Sequence, residues 1–148
     1  MSAQINTDTG TNGWTAASRK EQALWLLEVL APGSAANNLA VAFRVDGRLR
    51  TDVLSEACSL LLRRHEVLRT VYRDASVGLV RSVRGPGADR VEVVEADPAD
   101  ELDTELTAYI ARPFAFDGTP LLRACRFRQP DGDAFCLVLS DFLQEAPH

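Results

Sequence analysis

Two hydrophobic periods alternate along the chain, and each change of period marks a new element. From Ala23 the apolar residues recur at helical spacing, Ala23, Leu24, Leu27, Leu30 and Ala31, with Trp25 beside the stripe. Ser18-Arg19-Lys20-Glu21, just ahead of that run, has the S-x-x-E form of a capping box. In such a box the serine hydroxyl accepts from the backbone N–H three residues on, and the glutamate reaches back to the serine N–H. Order is therefore expected from Ser18, with Pro32-Gly33 stopping the helix. Asn38 to Asp46 switches to a period of two: Leu39, Val41, Phe43 and Val45 alternate with Ala40, Ala42 and Arg44, which predicts a strand. Asp46-Gly47 turns the chain, and Thr51 is the expected N-cap of a second helix. That helix has Val53, Leu54, Ala57, Cys58, Leu61 and Leu62 as its apolar face. Arg63, Arg64 and His65 fall in its last turn, where cations suit the negative helix end.

Val67 to Asp74 and Leu79 to Val83 read as two strands around Ala75-Ser76-Val77-Gly78. Gly85-Pro86-Gly87 is a loop, and Arg90 to Val94 a short strand. Asp97-Pro98 is expected to open a third helix, with Leu102, Leu106, Tyr109 and Ile110 as its stripe. Pro113 to Pro120 reads as a loop. Leu121 to Gln129 and Ala134 to Ser140 then form a hairpin, turned at Pro130-Asp131-Gly132-Asp133. Phe135 to Leu139 is apolar without alternation, as in a central strand covered on both faces. The order of elements predicts a single α+β sandwich at residues 17–148. Residues 1–16, rich in Thr, Asn, Gly and Ala with Trp14 among them, are expected to be a flexible leader.

Composition narrows the functions. A domain of 148 residues with 46% hydrophobic side chains buries about 68–70% of its unfolded surface, so no disulfide or metal is required to stabilise it. The net charge is −5, and Lys20 is the one lysine against fifteen arginines. An acidic chain argues against nucleic acid as the main partner. No apolar run is long enough to span a membrane. Met1 to Gly13 lacks the layout of a secretion signal, so the expected location is the cytoplasm. Cys58, Cys125 and Cys136 are scattered in apolar company and are expected to be buried small hydrophobes. His65 and the last residue, His148, are the two histidines, so a histidine-based catalytic device has His65 as its base. The seven acidic side chains of residues 92–105 read as a solvated helix face.

Several stretches, in one order along the chain, resemble the core motifs of condensation domains from nonribosomal peptide synthetases. Arg64-His65-Glu66-Val67-Leu68-Arg69-Thr70 is similar to the second core motif of that family. Ser18 to Leu27, SRKEQALWLL, resembles the first: Ser18, Leu24, Trp25 and Leu27 match, while Lys20, Glu21 and Ala23 depart from the usual Ala, Gln and Arg. Pro32 to Ala36, Ala111 to Phe114 and Pro120 to Ala124 fit the intervening segments. The resemblance implies a chloramphenicol-acetyltransferase-like fold, of which this chain supplies one half, the N-terminal lobe. It also implies no bound cofactor, with a carrier protein's phosphopantetheine thioester as the substrate handle.

In the family the active strand ends in L-V-L-H-H-x-x-x-D-G. The second histidine sits at the amine nucleophile, the aspartate is structural and the glycine allows a tight turn. The matching stretch here is Leu137-Val138-Leu139-Ser140-Asp141-Phe142-Leu143-Gln144-Glu145-Ala146. Ser140 and Asp141 fill the histidine places, Glu145 the aspartate place and Ala146 the glycine place. A carboxylate titrates near 3.9 against about 6.5 for imidazole, so it is a poor proton acceptor at neutral pH unless its environment raises it. Asp141 is then either a replacement base lifted by burial or a strand-end polar residue in a lobe without catalysis. Arg64, His65 and Arg69 read as supporting residues, His65 as a packing or hydrogen-bonding histidine and Arg69 as a support of the core or of the cleft wall. Ser140 has no G-x-S-x-G elbow around it.

Two functions are compatible with this reading. One is an interaction module that binds a carrier protein or a synthetase without making a bond. The other is an acyl-transferring or rearranging enzyme whose cleft is completed by a homodimer or by a polypeptide supplying the second lobe. A single lobe would leave uncovered the face that meets the second lobe in the family, and a third arrangement is that the chain is a trimmed piece of a larger gene product.

Overall fold

The computed structural model describes residues 13–31, 38–97 and 101–145, the side chains of Gln144 and Glu145 excepted. Two sheets organise the chain. The smaller has the order β1-β4-β3, from β1 (Thr15–Ala16), β3 (Thr70–Ala75) and β4 (Gly78–Val83). The larger has the order β2-β7-β6-β5, from β2 (Asn38–Val45), β5 (Val93–Ala96), β6 (Leu122–Gln129) and β7 (Gly132–Ser140). Among the described residues three helices accompany them: α1 (Arg19–Leu30), α2 (Thr51–Arg64) and α3 (Leu102–Ala111). Short 3-10 helices follow α2 at Glu66–Arg69 and β7 at Asp141–Glu145.

Alternation along β6 and β7 gives the large sheet two apolar faces. Leu122, Ala124 and Phe135 face Cys58 and Leu62 of α2, with Val91 and Val93 closing that cluster. Cys125, Phe127, Ala134, Cys136 and Val138 face Leu102, Leu106, Tyr109 and Ile110 of α3. This accounts for the unbroken apolar run of β7, which lies between β2 and β6 with both faces packed. β2 is an edge strand, and Leu39, Val41 and Phe43 remain exposed on it. β5 runs parallel to β6, the other pairs in the sheet antiparallel. Gly132 is required by a close approach: a Cβ there would lie 2.1 Å from the Val45 carbonyl oxygen.

The Ser18 capping box forms as the sequence predicts. Glu21 N–H donates to Ser18 Oγ at 3.1 Å, and Ser18 N–H to Glu21 Oε1 at 2.8 Å. The stripe predicted on α1 does not. Leu24 and Trp25 pack on the core, but Leu27 and Leu30 are exposed, together with Leu26 and Val29, while the charged Glu21 is fully buried. Order also begins before Ser18, since Thr15 and Ala16 pair with Arg81 and Val80 of β4. Trp14 lies under the Arg73 guanidinium, 4.3 Å from it.

Other boundaries move for identifiable reasons. Thr51 is the first residue of α2 and not its cap; Arg50 holds the cap position without a side-chain capping bond, its guanidinium donating to Asp52, and the Thr51 hydroxyl donates to Glu95 Oε2 at 3.0 Å instead. Val67 to Arg69 belong to a 3-10 turn, and β3 starts at Thr70. β5 begins three residues later than Arg90, because Val91 N–H and Val93 N–H go to the Ser59 and Ser55 hydroxyls of α2. The third helix starts at Leu102 with Glu101 at its cap position, not at Asp97; Pro98 itself falls outside the described residues, as does the Pro32-Gly33 stop.

Candidate functional site

β7 carries the motif stretch to the end of the large sheet. Ser140 stands opposite Asn38 of β2, and its N–H donates to the Leu121 carbonyl at 3.0 Å. Its hydroxyl accepts the Phe142 N–H at 3.1 Å, so Ser140 caps the 3-10 helix that follows. That use, with only 3% of the residue exposed, ties the hydroxyl to the turn rather than to solvent. Asp141 is half-buried, and among the described residues its carboxylate makes no hydrogen bond and no ion pair. The Glu145 side chain and Ala146 lie outside the described residues.

An aromatic and acidic cluster holds this turn from beneath. Phe142 packs edge-on against Tyr72, with ring centroids 4.7 Å apart, and against Phe116 at 5.0 Å. The Tyr72 hydroxyl donates a short hydrogen bond to Glu21 Oε2, both groups being buried. Burial first, and then the Glu21 carboxylate, push the Tyr72 phenol far above its ordinary range, so it stays a neutral donor. Gln22, next in α1, clamps both backbone groups of Leu79, accepting its N–H at 2.9 Å and donating to its carbonyl at 2.8 Å. Gly78 beside it has φ +118°, and a Cβ there would press on the Gln22 amide at 3.0 Å. The first-motif residues thus tie α1 to β3, β4 and the motif turn.

The cavity at this end is small. About 50 Å³ is enclosed by Glu28, Asn38, Ala111, Pro113, Phe114, Phe116 and Ser140. A space of this size holds a few waters, each needing on the order of 10–15 Å³. A larger, open groove of about 320 Å³ lies away from the motif, between α3 and β5–β6, lined by Tyr109, Arg112, Cys125 and Phe127 among others.

The other residues singled out from the sequence take scaffold positions. Arg69 donates from Nε to the Arg84 carbonyl at 2.8 Å, and from Nη1 to the Leu62 and Arg63 carbonyls at 3.0 Å each. It therefore closes the C-terminal end of α2, where a cation complements the free carbonyls. His65 is exposed; its N–H donates to Leu61 and its carbonyl accepts from Leu68, both at 3.0 Å. Among the described residues no bond joins its ring to Ser140 or Asp141, and Arg64 is exposed beside it. Cys58, Cys125 and Cys136 are free and buried, with burial raising all three thiols, Cys125 to about 11. Among the described residues no group of three or more His, Cys, Asp or Glu side chains is placed to hold a metal ion.

Two buried carboxylates escaped sequence reasoning. Glu21 was legible as a capping residue but not as the acceptor of Tyr72, which lies 51 positions away. Asp133 reads as a turn residue, yet it is fully buried. It accepts from Leu49 N–H at 2.7 Å and from Arg48 at 2.8 Å, with Arg126 at 3.7 Å. Burial alone would raise its carboxyl, but the Leu49 N–H and the two guanidinium groups outweigh that and hold it below the usual carboxylate range.

Comparison with known proteins gives this fold its family. A sequence model described as the condensation domain matches residues 15–139. The chain is 31% identical over 129 residues to chondramide synthase cmdD of Chondromyces crocatus, covering 82% of this chain and 3% of that protein. It is 32% identical over 131 residues to the nonribosomal peptide synthetase asqK of Emericella nidulans, covering 86% of this chain and 5% of that one. Among solved structures it resembles the starter condensation domain of rhizomide synthetase RzmA, with a TM-score of 0.63 and 19% identity over 87% of this chain and 32% of that one. It also resembles the epimerization domain from the third module of tyrocidine synthetase B, with a TM-score of 0.65 and 19% identity over 86% and 30% of the two chains. The chain belongs to the condensation-domain family. Its α+β arrangement is a partial, N-terminal portion of that chloramphenicol-acetyltransferase-like fold, about a third of the solved chains it matches. Among the described residues no helix is long and apolar enough to cross a membrane.

Proposed function

We propose that this is a condensation-domain-like protein of nonribosomal peptide biosynthesis that lacks standard amide-forming catalysis and acts as an interaction module for a carrier protein or a synthetase partner. The observation that carries this reading is the state of the strand end. Where the family places paired histidines, the chain has a serine whose hydroxyl caps its own turn, followed by a carboxylate. Serine and aspartate are residue types whose reference proton affinities lie far from the near-neutral value of imidazole that suits a general base at pH 7. The remaining motif residues support the scaffold: Glu21 with Tyr72, and Arg69 with the end of α2. The exposed apolar residues of α1 and β2 favour docking, since patches of this kind mark interaction sites.

The test is a calorimetric titration of the purified chain with phosphopantetheine-loaded carrier proteins and with synthetase modules from the same host. Saturable binding without release of a condensed product is the expected result. Absence of binding to every carrier and module would overturn the reading.

A second reading rests on Asp141. Its carboxylate is half-buried and free of partners among the described residues, as a group reserved for substrate would be. Under this reading the chain is an acyl-transferring or rearranging enzyme, with its cleft completed by a second copy or by another polypeptide. Its substrate would arrive as a carrier-bound thioester.

A further inference from the structure

The outer edge of β2 has the chemistry of a self-pairing strand. β2 pairs with β7 along its whole length, from Asn38 opposite Ser140 to Val45 opposite Asp133. Its other edge has no strand beside it among the described residues. Natural sheets blunt such edges with lysine, proline, a bulge or an inward charge. Leu39-Ala40-Val41-Ala42-Phe43 has none of these, and its pairing with β7 runs without a bulge. The side chains stay exposed although they are apolar: Leu39 by 40%, Val41 by 60% and Phe43 by 45%. Leu39, Val41 and Phe43 stand opposite Leu139, Leu137 and Phe135, on the face that α2 covers; Ala40 and Ala42 stand on the other.

We infer that β2 pairs antiparallel with β2 of a second copy, about a two-fold axis perpendicular to the sheet that passes midway between the two Val41 residues. Such an axis keeps each face of the sheet on its own side, so residues brought opposite one another must share a face. A register centred on Val41 meets that condition throughout. Val41 faces the second copy's Val41, Leu39 faces Phe43, Ala40 faces Ala42, and Asn38 faces Arg44. Large apolar side chains then meet on one face, small ones on the other, and the polar residues fall at the rim. Centring the pair on Ala42 also keeps the faces matched, with Val41 against Phe43 and Leu39 against Val45, but it sets the charged Arg44 against Ala40 within the pairing instead of at its rim. The occupant is therefore a second copy because the edge is complementary to itself, as an isologous interface requires. The two four-stranded sheets become one of eight strands, with the exposed edge removed. This goes beyond the functional reading above: it needs neither a carrier nor chemistry at Asp141, and carrier binding can succeed or fail independently of it.

Sedimentation velocity of the full chain over a wide concentration range tests the pairing. The expected result is a reversible change from the 16.2 kDa monomer to twice that mass. Val41→Lys and Val41→Glu each place like charges on the axis and should weaken the dimer about tenfold or more. Mixing the two variants should restore association, because the register puts position 41 opposite itself. Amide exchange of the unsubstituted chain supplies a readout free of folding effects, with β2 amides gaining protection as the concentration rises. A monomer at every concentration would overturn the inference. So would variants that dimerise as tightly as the parent, a mixture that fails to associate, or exchange on β2 that ignores concentration.

Discussion

The phenol of Tyr72 donates to the buried carboxylate of Glu21, and the same ring packs edge-on against Phe142 in the motif turn. One side chain thus links the N-terminal cap of α1, the small sheet and the turn that follows β7. Tyr72→Phe keeps the ring and its packing but leaves Glu21 Oε2 without a donor. The expected cost is about 1–3 kcal/mol of stability. Glu21→Gln in the same background should recover part of it, since a neutral amide is less costly to bury unpaired than a carboxylate. A double-mutant cycle by urea denaturation measures the coupling; strictly additive losses would show that the two groups do not act together.

Asp133 makes the fold sensitive to acid. Its carboxyl is held below the ordinary range in the folded chain, so folding favours the ionised form. That contribution is complete above its unfolded value of about 3.9 and is lost as the pH falls through the lower folded value. Stability should therefore fall as the pH drops below about 4. Asp133→Asn should be less stable at pH 7 and lose less on acidification. Denaturation midpoints taken from pH 7 down to strong acid check this, and equal pH slopes for the two proteins would refute it.

Arg69 is expected to act on stability and not on substrate. Its guanidinium serves three carbonyls, two of them at the end of α2. Arg69→Met should cost about 2 kcal/mol. Arg69→Lys should recover little of this, because an ammonium does not reproduce the planar fork. If Arg69→Met leaves the denaturation midpoint unchanged while it abolishes carrier binding, the residue belongs to the interface.

Local chemistry was legible in the sequence wherever one short stretch supplies both partners. The Ser18–Glu21 box is such a case, as are the central strand Phe135 to Leu139 and the hairpin that contains it. Reading failed where a distant residue competes for the same group. The Thr51 hydroxyl looks like a cap until Glu95 takes it, and Arg90 to Glu92 look like a strand until the serines of α2 take the backbone of Val91 and Val93. Helical spacing also cannot say which side of α1 faces the core: Leu27 and Leu30 repeat correctly and are exposed, while Glu21 is buried. At the candidate site the reading of Ser140 and Asp141 as departures rests on the motif resemblance alone, since the family match ends at residue 139. The role of the Ser140 hydroxyl as a cap on its own turn needed the structure.

Under the proposed function the strand end has no catalytic base. Asp141→Asn removes the carboxylate with little change in shape, at a position with no other partner among the described residues. The most direct measurement is product formation in the host pathway with this variant, alongside its folding and carrier binding. Unchanged product is the predicted result. A large loss of product from a protein that still folds and still binds its carrier would contradict the account and make Asp141 the base.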